Sequence, residues 1–293
     1  MAVAGPQAYT IELGPIGPIG EGEALILRVN RNCPWNRCLF CRVYKGKKFS
    51  PRSIDEINGD IDAVRRVDEV LSTVSWEMGL SGRIQREVLE ETVKRHPEVY
   101  GEHAEHLTTE QWYALQSLSI IANWISCGAR RVFLQDANAL VMKPNDLIAV
   151  LGHLKNAFRT VDTVTCYARS QTSARRSHDE LSELHDAGLS WCFVGVESGC
   201  DEVLQYMQKG VTQKEHIEGG RKVMDSGIRM AAFVMPGLAG SNSDLSHSHI
   251  VDTAHVLNEI RPTEVRVRSL AVLDATPLYE RWQSAEFSPP GDK

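Results

Sequence analysis

The 293-residue chain is short of the features that usually assign a protein quickly. No apolar run reaches the roughly 18 residues needed to cross a bilayer, which argues against a membrane protein. The opening "MAVAGPQAYTIELGPIGPIG" has no basic stretch followed by an apolar core, so no secretory signal is read there. Neither a Walker-type loop nor a G-x-G-x-x-G is present, which removes two common phosphate cradles. Excess charge is small: 32 Lys and Arg against 38 Asp and Glu leave −6. That balance argues against a general nucleic-acid-coating surface and allows only a local basic patch. A soluble, cytoplasmic protein without membrane attachment is expected. In such a chain seven cysteines, an odd number, point to reduced thiols, so clustered cysteines read as metal ligands before disulfides.

What is present is an ordinary globular composition, 42% hydrophobic and 24% charged, enough for a substantial core. Six β-rich apolar runs stand at 24–30, 131–135, 163–168, 191–197, 228–235 and 264–273. Amphipathic stretches at 53–74, 109–125, 144–158, 177–188, 212–227 and 243–260 separate them. Ser177 and Thr212 are expected to cap helices, as is Asn145 or Asp146, with Gly188 and Gly227 closing two of them. Strands alternating with helices at roughly 30-residue spacing predict right-handed βαβ units and a parallel sheet. The expected fold class is α/β, a partial (β/α)6 TIM-type barrel or an open doubly wound sheet. The expected domains are an irregular arm at 1–23, a barrel at 24–283 and a tail at 284–293. One interval is too long, with about 90 residues between the first two strands where a single crossover helix needs far fewer. The polar piece 81–107 is the expected insertion, either a lid or partner surface or a solvated helical excursion.

The first strand runs into "RNCPWNRCLFC", which places Cys33, Cys38 and Cys41 at C-x4-C-x2-C spacing. A structural zinc site wants four nitrogen or sulfur ligands, and no fourth cysteine or histidine stands nearby. Tight thiolate loops of this kind hold iron–sulfur clusters. Three thiolates on a four-iron cluster leave one iron open to an outside ligand. In a parallel βα fold, chemistry gathers at the C-terminal ends of strands. Polar groups stand there after each later strand: Gln135 and Asp136, then Arg169, then Glu197 and Ser198, then "MPGLAG" with Gly237, then Asp274.

The cysteine loop resembles the cluster motif of the radical S-adenosylmethionine (SAM) superfamily, with one residue more between the first two cysteines than its usual C-x3-C-x2-C. The stretch "VGVESGCDEVLQYMQKGVTQKEHIEGGRKVMDSGIRMAAFVMPGLAG" is similar to the second half of the barrel in the oxygen-independent coproporphyrinogen oxidase, Elp3 and methylthiotransferase branch. The resemblance runs from about residue 24 to 280 and leaves 81–107 unmatched. It implies a [4Fe–4S] cluster on Cys33, Cys38 and Cys41, with SAM on the open iron. It implies Phe40 as an apolar cover beside the adenine and Arg169 as the partner of the SAM carboxylate. Gln135 and Asp136 would face the SAM amino group, Glu197 and Ser198 the ribose or methionine, and Gly237 the adenine. A guanidinium suits the carboxylate role because it offers a two-pronged donor fork that never deprotonates.

The reaction implied is reductive cleavage of SAM and abstraction of hydrogen from a substrate by the 5′-deoxyadenosyl radical. The alternative is an iron–sulfur binding or electron-transfer module that does not cleave SAM. A reducing donor such as a flavodoxin or ferredoxin is the expected partner, and a small-molecule substrate is favoured over RNA. The basic run Arg42, Lys45, Lys47, Lys48 and Arg52 reads either as a solvated loop or as a landing site for an acidic donor or a phosphorylated substrate. Cys127, Cys166 and Cys192 read as small core residues, Cys200 as core with a lesser claim on the site, and "HSH" at 247–249 as exposed. "PWNR" is expected to bulge outward while the three sulfurs reach one cluster.

Overall fold

In the computed structural model the described residues are 5–15, 17 and 20–291. The strands are β1 (Leu25–Arg28), β2 (Asn30–Arg31), β3 (Ser50–Pro51), β4 (Arg131–Gln135), β5 (Thr163–Ala168), β6 (Leu189–Glu197), β7 (Arg229–Val234) and β8 (Glu264–Val267). The first helices are α1 (Ile54–Glu77), α2 (Arg86–Arg95), α3 (Pro97–Tyr100), α4 (Thr109–Ser126) and α5 (Pro144–Ala157). After them come α6 (Ser170–Arg175), α7 (His178–Asp186), α8 (Asp201–Tyr206), α9 (Gln213–Asp225), α10 (Ser243–Ile260) and α11 (Pro277–Gln283). Six strands form one parallel sheet in the order β1-β4-β5-β6-β7-β8, the partial TIM-type arrangement expected from the sequence. β2 and β3 form a separate antiparallel ribbon.

The chain divides into two compact units. The first takes Met1–Val29, Arg52–Leu134 and Asp146–Val164. Its long helix α1 starts at a reciprocal cap between Ser53 and Glu56, and buries Ile57, Ile61, Val64, Leu71 and Val74 along one stripe. Helices α2 and α3, from the 81–107 piece, pack on α1 and α4 through buried Val88, Thr92, Val99 and Tyr100. Their outer faces carry the ion pairs Arg86–Glu90 and Arg95–Glu91. Near the N-terminus Ile11 is buried and its N–H donates to Ser117 Oγ at 3.1 Å. Arg52 belongs to this unit's interior rather than to a basic surface. It donates to Asp60 Oδ2 at 2.6 Å and lies 3.3 Å from Glu12 Oε2.

The second unit takes Asn30–Pro51, Gln135–Asn145 and Thr165–Lys293. β6 pairs with β7 in parallel, Trp191 opposite Arg229 and Gly195 opposite Phe233, with a register shift between Gly195 and Glu197. β7 pairs with β8, Ala231 opposite Glu264 and Val234 opposite Val267. Helices α6 and α9 approach closely at Gly219, where a Cβ would stand 2.3 Å from Ser170 O. Ser177 and Thr212 cap α7 and α9 as expected, each in a reciprocal pair with Glu180 or Glu215. α5 departs from expectation by starting at Pro144, so Asn145 and Asp146 lie inside its first turn. Proline fits there because the first helical N–H has no acceptor to lose. The last strand also ends early, at Val267 rather than 273. β8 is a sheet edge, and beyond it Leu270 N–H turns back to donate to Pro236 O at 2.9 Å. Among the described residues no helix is long and apolar enough to cross a membrane.

Candidate functional site

The ten residues that the resemblance assigns to the cluster or SAM all lie in the second unit. The cysteine loop leaves β2 and returns at β3, and their pairing of Asn30 with Pro51 and Arg31 with Ser50 closes its base. Asp136, just past β4 and wholly buried, anchors the loop from below. Its Oδ2 accepts the Asn32 N–H at 2.8 Å and its Oδ1 accepts the Tyr44 hydroxyl at 2.8 Å. Asn36 ties the loop to itself, donating from its amide to Tyr44 O (2.6 Å) and Lys47 O (3.1 Å). Asn32 and Asn36 adopt left-handed φ of 70° and 49°, a conformation asparagine tolerates better than most residues. Among the sulfurs, Cys33 Sγ accepts the Asn36 N–H at 3.4 Å. Leu39 fixes the far end: its N–H donates to Met207 O and its carbonyl accepts the Leu278 N–H, each at 3.0 Å. Leu39 is buried with Cys200, Val203, Met207, Leu238 and Phe287, and Phe40 packs against the same cluster.

Trp35, in the middle of "PWNR", turns inward rather than bulging out. Its ring stands 5.0 Å from the guanidinium carbons of both Arg37 and Arg169, and its Nε1–H donates to Gln208 O at 2.7 Å. The ring lies so close to Gly210 that a Cβ there would meet it at 2.1 Å. Arg169, at the N-cap of α6, donates from Nη2 to the carbonyls of Lys209 (2.8 Å) and Gly210 (3.2 Å). Lys209 pairs with Glu197 Oε1 at 3.1 Å, and its Nζ lies 5.8 Å from the Phe40 ring centroid. Gly195 makes room for that pair, since a Cβ there would stand 2.3 Å from Glu197 Oε1 and 2.9 Å from Lys209 Nζ. Glu197 itself takes φ of 63° at the register shift, which re-aims its side chain. The "G-x-E-S-G" and "K-G" texts thus interlock with the cysteine loop through one tryptophan and one ion pair.

The cations act on the sulfurs. Burial pushes the Cys38 thiol up; Lys209 and Arg169 pull it back, and Cys41 and Cys33 push it up again. Burial in turn lowers Arg169, against the thiols of Cys38 and Cys33. A second layer supports these groups. Ser198 is wholly buried, with its Oγ 2.8 Å from His249 Nδ1. His249 Nε2 faces Met235 O at 3.2 Å, so it is the protonated nitrogen and Nδ1 accepts the serine proton. His249 is therefore buried, in contrast to the exposed "HSH" expected. Burial also drives His216 down to about 3; its Nδ1 lies 2.7 Å from Ser170 Oγ, and its Nε2 is buried without a partner. Gly237, at φ of 97°, has its missing side chain filled by Leu270 and Pro290, each at 3.3 Å. Gln135 is buried at the end of β4. Cys166 and Cys192 are core residues with sulfurs 3.7 Å apart, and Cys200 is core as well. Cys127 is exposed, because α4 ends there in solvent.

Several solved proteins share this architecture. OxsB, a cobalamin-dependent SAM radical enzyme, matches with a TM-score of 0.55 at 17% identity, over 90% of this chain and 35% of that one. TsrM from Kitasatospora setae, a radical SAM methyltransferase solved with cobalamin and a [4Fe–4S] cluster, gives 0.52 at 13% identity, over 87% of this chain and 38% of its own. The fold is that of radical SAM enzymes. At the level of sequence, a tRNA uridine(34) acetyltransferase of Methanocaldococcus jannaschii is 24% identical over 110 residues, 38% of this chain and 20% of that protein. The chain spans about a fifth of the length of the curated relatives it matches. No family model matches it.

Within the radical SAM fold the donor set can be weighed for an iron–sulfur cluster. Among the described residues, no three His, Cys, Asp or Glu side chains gather closely enough for a single metal ion. A four-iron cluster makes a different demand, one thiolate per iron around a cube. Three free, half-exposed thiols on one anchored loop, coupled electrostatically to each other and to two cations, suit it. The two cations would also offset the negative charge that three thiolates and a cluster bring together. The residues present fit the group. Trp35, Lys209, Gly195 and Gly210 were not singled out by residue from the sequence; the "G-x-E-S-G" and "K-G" texts held three of them, and Trp35 had only its place among the cysteines.

Proposed function

We propose that the chain is a radical SAM enzyme whose cluster is held by Cys33, Cys38 and Cys41. The observation that carries this reading is the three-thiol loop, pinned by Asp136 and flanked by Arg169 and Lys209, in the fold shared with OxsB and TsrM. When bound, a cluster on these three cysteines with SAM would supply the one-electron chemistry that cleaves the sulfonium's carbon–sulfur bond. The protein's own residues bind and orient. Arg169 commits Nη2 to two carbonyls and offers its remaining N–H groups to the SAM carboxylate. Glu197 gives one oxygen to Lys209 and presents the other to the ribose hydroxyls or the methionine ammonium. Phe40, between Leu39 and Cys41 and packed on the buried Leu39 cluster, would give the site an apolar side and help exclude water. Gln135 and Gly237 complete the walls of the SAM site.

Asp136 and Ser198 act from behind. Their polar atoms are engaged with Asn32 and Tyr44, and with His249, so they position the loop and the strand end. A reducing protein such as a flavodoxin or ferredoxin supplies the electron, approaching near the exposed Lys47 and Lys48. The preference for a small molecule over RNA draws no support from the archaeal relatives, which are named for a tRNA uridine.

The ligand set is tested by iron and sulfide content after anaerobic reconstitution of wild type and of Cys33→Ala, Cys38→Ala and Cys41→Ala. Each variant is expected to lose most of its iron and sulfide. A variant that keeps the wild-type content removes that cysteine from the cluster.

A further inference from the structure

The alternation of β6, β7 and β8 puts two kinds of residue on one face of the second unit's sheet. Cys192, Val194, Val196, Met230, Ala232 and Val234 are buried on one side. The other side carries Phe193 and Phe233, which meet each other at 5.9 Å. Three arginines lie over aromatic rings on this side. Arg266 stands 4.3 Å from the Phe193 centroid and 5.6 Å from that of Phe233. Arg268 stands 5.8 Å from Phe233, and Arg229 stands 4.6 Å from Trp191. Arg266 is neutralised by Glu264, with contacts of 3.0 and 2.9 Å. Arg268 is exposed and has no carboxylate partner among the described residues. A fully hydrated surface arginine needs no ring beneath it, and a packing arginine needs no free charge; Arg268 has both.

The register says where this face leads. Arg268 N–H donates to Val234 O at 3.0 Å, which carries the β7–β8 pairing one step past Val234–Val267 and sets Arg268 beside Met235, on the side of Phe233 and Arg266. Gly195 pairs with Phe233 on this face, and a Cβ there would stand 2.3 Å from Glu197 Oε1 and 2.9 Å from Lys209 Nζ, so the carboxylate of Glu197 reaches the Phe233 side although its own backbone pairs with Val234. Glu197 and its partner Lys209 belong to the site beside the cysteine loop. The aromatic and arginine face is therefore continuous with that site, on the same side of the sheet.

We infer that this face is the substrate's seat, and that it takes a planar ring bearing an oxyanion: the ring against the Arg266 guanidinium and the Phe193–Phe233 pair, the oxyanion on Arg268. Guanidinium planes backed by aromatics stack flat unsaturated groups, and a free guanidinium binds phosphate or carboxylate through a two-pronged fork. Phosphate and carboxylate share this chemistry. The inference rests on the radical SAM reading in calling the ligand a substrate.

The test is calorimetric binding to the reconstituted full chain with four probes: uridine 5′-monophosphate, indole-3-acetate, uridine and inorganic phosphate. At least one of the first two is expected to bind, at least about tenfold more tightly than uridine and phosphate, as the loss of a charge-assisted contact would require. Which of them binds assigns the oxyanion. Arg268→Gln is expected to weaken that binding about tenfold, whereas Val267→Thr, on the opposite and exposed face, leaves it unchanged. Arg268→Lys, which keeps the charge and loses the fork, is expected to weaken it as well, and serves if Arg268→Gln does not fold. Failure of both ring anions to bind, equal binding of uridine or phosphate, or wild-type affinity in both Arg268 variants overturns the inference. Binding is read without turnover. A chain that binds through Arg268 but cleaves no SAM thus fails the radical reading only, and one that cleaves SAM but binds neither ring anion fails this inference only.

Discussion

Gly210→Ala is the sharpest probe of how the site is assembled. Gly210 has φ of +66° and faces the Trp35 ring, whose nearest atoms would stand 2.1, 2.3 and 2.6 Å from an alanine Cβ. Left-handed backbone costs alanine about 1–2 kcal/mol. The ring must also lift, giving up its hydrogen bond to Gln208 O, about 0.5–1.5 kcal/mol. Its stacking with Arg37 and Arg169 goes with it, about 0.5–1 kcal/mol at such partly exposed sites. The sum is about 2–4.5 kcal/mol, readable as a lower guanidinium midpoint at unchanged slope. Trp35 also holds the middle of the cysteine loop, so iron bound per chain after reconstitution should fall with stability. An alanine variant of wild-type stability and wild-type iron content would refute the role given to Trp35 and Gly210.

Gly59→Ala is the matching control: Gly59 lies within α1 with open space around it, so alanine is expected to stabilise by about 0.5–1 kcal/mol in the same denaturation assay. Gly219→Ala places a Cβ 2.3 Å from backbone at Ser170 and should cost about 1–3 kcal/mol by forcing α6 from α9, with a parallel loss of SAM affinity through Arg169. Arg52→Met strips the buried carboxylate of Asp60 of its cation and is expected to lower stability by about 3–5 kcal/mol. The fold holds His216 at about 3 against its ordinary 6.5, so the neutral ring is the stable form. Its contribution is intact above pH 6.5 and is lost as pH falls from there toward 3. His216→Gln should therefore flatten the acid limb of stability by about 1.4 kcal/mol per pH unit in that window, read from urea midpoints.

Most of the scaffold was legible because it is local. Strands and helices follow from alternation and from paired caps such as Ser177 with Glu180 and Thr212 with Glu215. The cysteine loop was legible by spacing. What the spacing did not convey was long-range packing. Whether Asp136 touches a ligand or clamps Asn32 and Tyr44 depends on a backbone N–H and a hydroxyl 104 and 92 residues away. Ser198 turns inward for the same reason, because His249 arrives from α10, 51 residues on. Arg52 left the basic run for the interior because Glu12 and Asp60 await it there. Trp35 gave no periodic signal, and its meaning appears only once Gly210 is beneath it.

The central claim is that this loop and its two cations support SAM cleavage. Anaerobic incubation of the reconstituted chain with dithionite and SAM is predicted to yield 5′-deoxyadenosine from wild type and none from Cys38→Ala. No 5′-deoxyadenosine from an iron-loaded wild-type chain would contradict the claim and leave an iron–sulfur module that does not cleave SAM.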